Sequence, residues 1–306
     1  MPPPVPDFHP ELVAAARLSP RVVARSWTLP ALNLFSPLAY LFDPSEAHTL
    51  GPFSVYVYRP AKAAAEPGPA LLWIHGGGLV MGDARQDSSL IQRFVDALGI
   101  PVCSVQYRLA GAHPFPAPLQ DCKAALDWLG AQDEVNPGMI AVLGVSGGGC
   151  LAAALSELCR EEGGLQPCLQ VLVYPMLDDR SSNAPHPNAS AYRFWDQDSN
   201  RLGWDTYLRE LDRNTLPPCA VPARADSLKG LPPTWIGVGT LDLFHAEVLA
   251  YAERLDQEGV STQLHCIEGA FHAFDRVAPT AAVTQAFYES QIQAIGNQLR
   301  AQGWQG

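Results

Sequence analysis

The sequence predicts an α/β protein built on a mostly parallel sheet, with helices on both faces. Short apolar runs alternate with amphipathic stretches through about the first 175 residues, which is typical of repeated strand–helix–strand units. Several of these runs contain no polar residue, as expected of strands that are buried on both faces. The chain has 306 residues, of which 47% are hydrophobic, enough to form the core of one large domain.

The predicted elements follow one another at regular spacing. Strands are expected over 51–60, 70–74, 101–107, 139–145 and 168–174, with helices over 87–98 and 118–129 and from Gly149 onward. The sheet resumes with strands over 234–238 and 262–267, separated by a helix over 245–255. A final helix is expected over 280–301.

Two segments interrupt this pattern. Residues 1–48 begin with prolines and then show helical periodicity and an apolar stretch over 34–42, which fits either a packing arm or half of a lid. Residues 178–231 are rich in Asn, Pro, Ser and aromatic residues and are long for a loop, so we expect short helices there. We therefore divide the chain into an N-terminal cap segment (1–48) and a main domain (49–306) that carries a second cap excursion at about 178–231.

One stretch combines a strand, a sharp turn and a helix. The residues Gly144-Val145-Ser146-Gly147-Gly148 fit the pattern G-x-S-x-G, between an apolar β-branched run and an Ala-rich run. This is the context of a nucleophile elbow, in which glycines make room for a strained turn that exposes the serine. By itself the pentapeptide is a weak signal, because serine between glycines is common in loops.

A second glycine-rich motif follows the strand at 70–74. The residues His75-Gly76-Gly77-Gly78 offer bare backbone N–H groups that could donate to an oxyanion. The alternative is a flexible glycine-rich turn without catalytic function. His75 itself is expected to organise the loop by hydrogen bonding rather than to take part in catalysis.

An acid and a base follow later strands. Asp242 comes after the strand at 234–238 and His272 after the strand at 262–267, and the order Ser…Asp…His is that of α/β hydrolases. Taken singly, Asp242 could be a helix cap and His272 a hydrogen-bonded core residue. Asp178, after the strand at 168–174, is the alternative acid. The four features together, each at a strand end, predict a catalytic assembly.

At this point the chain resembles the hormone-sensitive-lipase-like esterases of the α/β-hydrolase superfamily. The resemblance covers about residues 69–295 and rests on HGGG at 75–78, YRLA…HPFPA at 107–117, GVSGGG at 144–149, the segment 222–242 and EGAFHAF around His272. It implies an α/β-hydrolase fold with a small helical cap. It also implies a nucleophile, an acid and a base, and backbone oxyanion donors: Ser146, Asp242, His272, and Gly76, Gly77 and Gly147.

The chain departs from the pattern of this family at several positions. Val145 stands where the family usually has Asp or Thr, and Gly147 where it usually has Ala. Gly111-Ala112 replaces the usual Pro-Glu, and Leu243-Phe244 replaces Pro-Leu after the acid. No member of the triad is lost, so we expect these changes to affect the level of activity and the range of substrates.

The expected function is hydrolysis of carboxylic esters with short to medium acyl chains, through an acyl-enzyme intermediate. An amidase or deacetylase with the same triad is the alternative enzyme, and a ligand-binding protein on this fold is the alternative from another class, although the retained His272 argues against it. The expected cap aromatics could line a closed apolar pocket: Phe194, Trp195, Trp204 and Tyr207.

Charge and cysteine content limit the partners. The net charge of −11 disfavours nucleic acid and anionic membranes as partners, and no segment reads as a signal peptide or a bilayer-spanning run. The seven cysteines are scattered and mostly lie in apolar patterns, which fits reduced core residues of a cytoplasmic protein. We expect no cofactor and no metal, since no zinc-ligand spacing or phosphate-binding loop occurs. The sequence does not decide between a monomer and a homodimer.

Overall fold

An eight-stranded sheet runs through the centre of the computed structural model, which describes residues 7–35, 40, 43–62, 67–184 and 189–305. The strand order is β1-β2-β4-β3-β5-β6-β7-β8. Only β2 runs against its neighbours β1 and β4, while the remaining pairs are parallel. The predicted fold class, a mostly parallel sheet with helices, is confirmed. The strands are β1 (Glu46–Leu50), β2 (Phe53–Tyr58), β3 (Gly68–Ile74), β4 (Val102–Gln106), β5 (Val135–Val145), β6 (Leu169–Val173), β7 (Thr234–Gly239) and β8 (Thr262–Ile267).

Helices cover the sheet. Of these, α3 packs against α9, and α4 packs against α5. The helices are α1 (Val13–Leu18), α2 (Leu29–Phe35), α3 (Ser88–Leu98), α4 (Ala117–Gly130), α5 (Gly147–Glu162), α6 (Gln197–Tyr207), α7 (His245–Gln257), α8 (Phe274–Val277) and α9 (Ala282–Ala301). No helix in the described ranges has the length and apolar character needed to cross a membrane.

Strand register brings the important loops to one edge of the sheet. Ile74, the last residue of β3, pairs with Gly144 of β5, so the glycine-rich loop after β3 begins beside the turn after β5. Val145 in turn pairs with Val173 at the end of β6. Because parallel strands end at the same edge, the segments that follow β3, β5, β6, β7 and β8 converge there.

The structure corrects several predicted boundaries. Strand β1 occupies residues 46–50, where the sequence predicts no strand and where residues 46–48 belong to the expected N-terminal cap segment. Its side chains are mostly exposed, so it lacks the apolar pattern of a buried strand. Helix α5 begins at Gly147, directly after Ser146, and not at Gly149. The expected helical face near the N-terminus is interrupted, since Leu18 and Trp27 are 88% and 79% exposed. Most of the apolar stretch 34–42 lies outside the described residues.

Candidate active site

Ser146 occupies a strained turn between β5 and α5. Its φ of +54° lies in the left-handed region, which side chains other than glycine rarely adopt. A Cβ on Gly144 would lie 2.2 Å from the carbonyl oxygen of Gly148, and one on Gly148 would lie 2.1 Å from that of Ile74. Gly144 is therefore required by the close approach of α5 to the end of β5, and Gly148 by the close approach of α5 to the end of β3.

Three side chains from three strand ends form one line of hydrogen bonds. The Ser146 Oγ lies 3.0 Å from His272 Nε2, and His272 Nδ1 lies 2.8 Å from Asp242 Oδ2. With Nδ1–H donating to the carboxylate, Nε2 is left as the acceptor that faces the serine hydroxyl. This tautomer is the one in which an imidazole can remove the serine proton.

Backbone groups hold the acid and the base in this arrangement. The Phe244 N–H donates to Asp242 Oδ1 at 2.9 Å, which fixes the carboxylate so that its other oxygen faces the imidazole. The Leu241 N–H donates to the carbonyl of Ala270 at 2.9 Å and ties the two loops together. The rings of Tyr174 and Phe244 contact the His272 ring edge-to-face, with centroids 4.8 and 5.2 Å away.

Asp178, the alternative acid, is committed elsewhere. Its carboxylate accepts from the side chain of Arg180 at 2.8 and 2.7 Å and from the Arg180 backbone at 2.9 Å. The structure therefore brings Asp242, and not Asp178, to His272.

Backbone N–H groups lie beside the serine. Within the described part of the chain, no acceptor pairs with the N–H of Gly76, Gly77 or Gly147. Gly77 has a φ of +123°, and a Cβ there would lie 2.0 Å from the carbonyl oxygen of Met81, so no larger residue fits this turn. Unpaired donors at the start of a helix and in a tight loop are the arrangement that can stabilise a developing oxyanion.

His75 is built into the loop. Its ring stacks on Tyr107 at 4.2 Å between centroids, and its Nδ1 lies 2.8 Å from the carbonyl oxygen of Gly76. The Tyr107 hydroxyl donates to the His75 carbonyl at 3.0 Å. Full burial lowers the pKa of His75, which favours the neutral ring. These contacts fit the predicted organising role.

A cavity of about 680 Å³ opens above Ser146 and His272. Phe194 and Trp195 line it as expected, whereas Trp204 and Tyr207 are fully buried and form no part of its wall. Helix α6 carries the latter two residues, and their rings pack into the core beneath the cap. Sequence reasoning missed five polar residues of the wall: Asn33, Tyr40, Gln86, Tyr174 and Arg276. Arg276 could have been suspected because it lies only four residues after His272 in the sequence.

The N-terminal segment lines one side of this cavity, and it contacts the excursion at about 178–231, which also lines the cavity. The Phe194 N–H donates to the backbone carbonyl of Pro20 at 2.8 Å, and the Val23 N–H donates to the backbone carbonyl of Phe194 at 3.2 Å. Arg25 donates to both carboxylate oxygens of Asp196, at 2.9 and 2.6 Å. The two segments that the sequence suggested as cap elements are therefore joined to each other.

This geometry can be compared with known proteins. A family model described as the alpha/beta hydrolase fold matches residues 71–276. The chain belongs to the hormone-sensitive-lipase-like α/β hydrolases. Esterase LipI of Mycobacterium tuberculosis is 35% identical over 230 residues, which span 73% of this chain and 71% of the relative. An ethyl acetate hydrolase of Pseudomonas putida is 32% identical over 239 residues, 76% and 73% of the two chains. The structure of a bacterial heroin esterase superposes on this chain with a TM-score of 0.83 at 33% sequence identity. The match covers 96% of this chain and 98% of the heroin esterase chain.

Proposed function

We propose that this α/β hydrolase cleaves carboxylic esters with short to medium acyl chains, using Ser146 as nucleophile, His272 as general base and Asp242 as the acid that orients it. The observation that carries the proposal is the Ser146–His272–Asp242 hydrogen-bond line, which opens into a cavity beside unpaired backbone donors. The relatives named above are esterases, which supports the same chemistry here.

The reaction follows from this geometry. His272 Nε2 takes the Ser146 proton as Oγ attacks the ester carbonyl, while the N–H groups of Gly76, Gly77 and Gly147 stabilise the oxyanion. The imidazolium then protonates the leaving alkoxide, and an acyl-serine remains. Water, deprotonated by the same imidazole, attacks the acyl group, and the proton returns to Ser146 as the carboxylic acid leaves.

The cap would set the size of the substrate. We propose that residues 1–48 and about 178–231 form the cap over the main domain. The cavity walls supplied by these segments include Val23, Ala31, Leu32, Phe194 and Trp195. Each methylene of the acyl chain that is buried against such a wall adds roughly 0.8 kcal/mol of binding free energy, until the acyl chain reaches the far side of the cavity. Specificity constants should then rise over the first few carbons and fall for long chains.

The test is kcat/KM for p-nitrophenyl esters from acetate to decanoate, with a p-nitroanilide of the best acyl group and an emulsified long-chain triglyceride. We expect a maximum at short or medium chains, little anilide cleavage and no rate jump on the emulsion. Ser146→Ala should fold normally and lose roughly 10⁴-fold or more in kcat. Near-normal turnover by this variant would refute the assignment, and faster anilide than ester cleavage would make the protein an amidase.

A further inference from the structure

Arg276 is the one permanently charged side chain among the described residues that line the cavity. It lies in α8, which directly follows the loop that carries His272, and a third of its side chain (33%) remains exposed. An arginine in a wall that is otherwise mostly apolar is costly unless the guanidinium has partners. Its partners therefore show what it can offer to a substrate.

Protein acceptors use only part of the guanidinium. One terminal nitrogen pairs with Asp87, which is 3% exposed and also accepts from the indole of Trp73 at 3.1 Å. The other terminal nitrogen donates to the backbone carbonyl of Gln86 at 3.0 Å. A guanidinium has five N–H donors. Within the described residues, the remaining donors of Arg276 have no protein acceptor.

Three other polar residues of the wall each direct one donor to the protein. Asn33 donates to the carbonyl of Val80 at 2.9 Å, and Gln86 donates to that of Gly76 at 3.3 Å. The Tyr174 hydroxyl donates to Asp275 at 2.8 Å. Arg276 is thus the wall residue with the most donor capacity left for a ligand.

Charge balance indicates the kind of ligand. The positive charge of Arg276 is already matched by the buried carboxylate of Asp87. A second carboxylate brought into this apolar cavity would lose its hydration without a free counter-charge. A neutral oxygen loses far less, and it still gains a hydrogen bond from a charged donor.

We propose that Arg276 is a specificity-determining residue that binds a second, neutral oxygen of the substrate, such as an ether, ketone or ester oxygen distant from the bond that is cleaved. The inference rests on the proposed function and narrows it to esters that carry a further oxygen acceptor, in either the acyl or the alkoxy part.

The experiment compares matched pairs in which one methylene is replaced by oxygen. The acyl pair is p-nitrophenyl butyrate and p-nitrophenyl methoxyacetate, and the alkoxy pair is butyl acetate and 2-methoxyethyl acetate, followed by pH-stat titration. Intrinsic reactivity differs within each pair, so the measured quantity is a double ratio. It is the kcat/KM preference for the oxygen-bearing ester in the native protein divided by the same preference in Arg276→Gln.

We expect a double ratio of roughly ten for at least one pair, since a hydrogen bond to a charged donor typically contributes this much. The pair that responds identifies the part of the substrate that Arg276 contacts. Arg85→Gln is the matched control, because Arg85 forms a comparable pair with the buried Asp83 but does not line the cavity. Its double ratio should stay near one.

A double ratio near one for both pairs in Arg276→Gln would overturn the proposal, because a purely structural role would slow both members of a pair equally. If this variant fails to fold, Arg276→Lys retains a cation for Asp87 but loses the planar fork of donors. It should give a double ratio of at least about three, and a value near one would again overturn the proposal. Hydrolysis of butyrate by the native protein tests the proposed function separately.

Discussion

At the scale of single residues, the contacts of two aspartates decide which one serves His272. Asp242 accepts from the imidazole at 2.8 Å, whereas Asp178 is bound by Arg180. An amide in place of the carboxylate would hold the imidazole in the wrong tautomer. Asp242→Asn should therefore lower kcat by roughly 10⁴-fold, and Asp178→Asn should change it far less. Steady-state rates of the two purified variants give the comparison, and the reverse ranking would reassign the acid.

The space around Gly147 leads to a second prediction for a single residue. A Cβ there would lie 2.8 Å from the backbone nitrogen of Leu79 and 2.9 Å from that of Gly78. Gly147→Ala, although it restores the residue usual in the family, should thus push the glycine loop away from Ser146 and lower kcat by roughly ten- to a hundredfold.

The matched control for this variant is Gly111→Ala. A Cβ on Gly111 meets nothing within 4 Å, so the Gly111→Ala variant should keep the native kcat. Equal rates for both alanine variants would show that the glycine loop does not depend on the space at Gly147.

At the scale of elements, the N-terminal segment and the segment before α6 act on the cavity as one unit if their junction holds. Arg25 is central to that junction, since it contacts Asp196, Ser199 and the carbonyl of Ala24. Arg25→Gln should loosen the cap, raise KM for medium-chain esters by roughly threefold or more, and flatten the acyl-length profile.

Arg17→Gln is the control for the cap variant. Arg17 lies on the same N-terminal segment and is exposed, and its side chain has no hydrogen bond or ion pair within the described ranges. Its acyl-length profile should match that of the native chain. An unchanged profile in Arg25→Gln would indicate that the junction does not shape the cavity.

At the scale of the whole molecule, a buried acid makes stability depend on pH. Burial raises the pKa of Glu247 from 4.5 to about 8, although its carboxylate accepts from the backbone N–H of Leu177 at 2.6 Å. The folded state then binds a proton that the unfolded state has already released between these values. The free energy of unfolding should consequently fall as the pH rises from about 4.5 to about 8.

Glu247→Gln keeps an acceptor for the Leu177 N–H but cannot ionise. The free energy of unfolding of this variant should therefore fall less with rising pH than that of the native protein. Denaturant titrations at pH 5, 7 and 8.5 would measure the slope, with Glu253→Gln, exposed on the same helix, as the control. A native slope unchanged by Glu247→Gln would show that this carboxyl does not carry the effect.

Much of the fold and of the arrangement around Ser146 could be predicted from the sequence because both depend on local patterns. Apolar runs such as β3 have every residue buried, and that burial appears directly as a run without polar residues. The residues that meet at the site follow strand ends, and parallel strands bring such ends together. Strand β1 could not be predicted in this way, because an exposed edge strand carries no comparable pattern.

The cavity wall could not be predicted in the same way, because it depends on which way side chains face after packing. Trp195 and Trp204 are nine residues apart and equally apolar in the sequence, yet only Trp195 reaches the cavity. Arg276 reads as a surface cation until α8 is placed against Asp87. Tertiary contacts decide these positions, and no periodicity records them.

The most direct test of the central claim is chemical labelling of the nucleophile. The protein is treated with diethyl p-nitrophenyl phosphate, and the site of modification is located by peptide mass spectrometry alongside loss of esterase activity. We predict one diethylphosphoryl group per chain, on Ser146, formed in step with inactivation and slowed strongly in Asp242→Asn. Full inactivation with the label on any other residue, or retained activity with Ser146 fully labelled, would contradict the account.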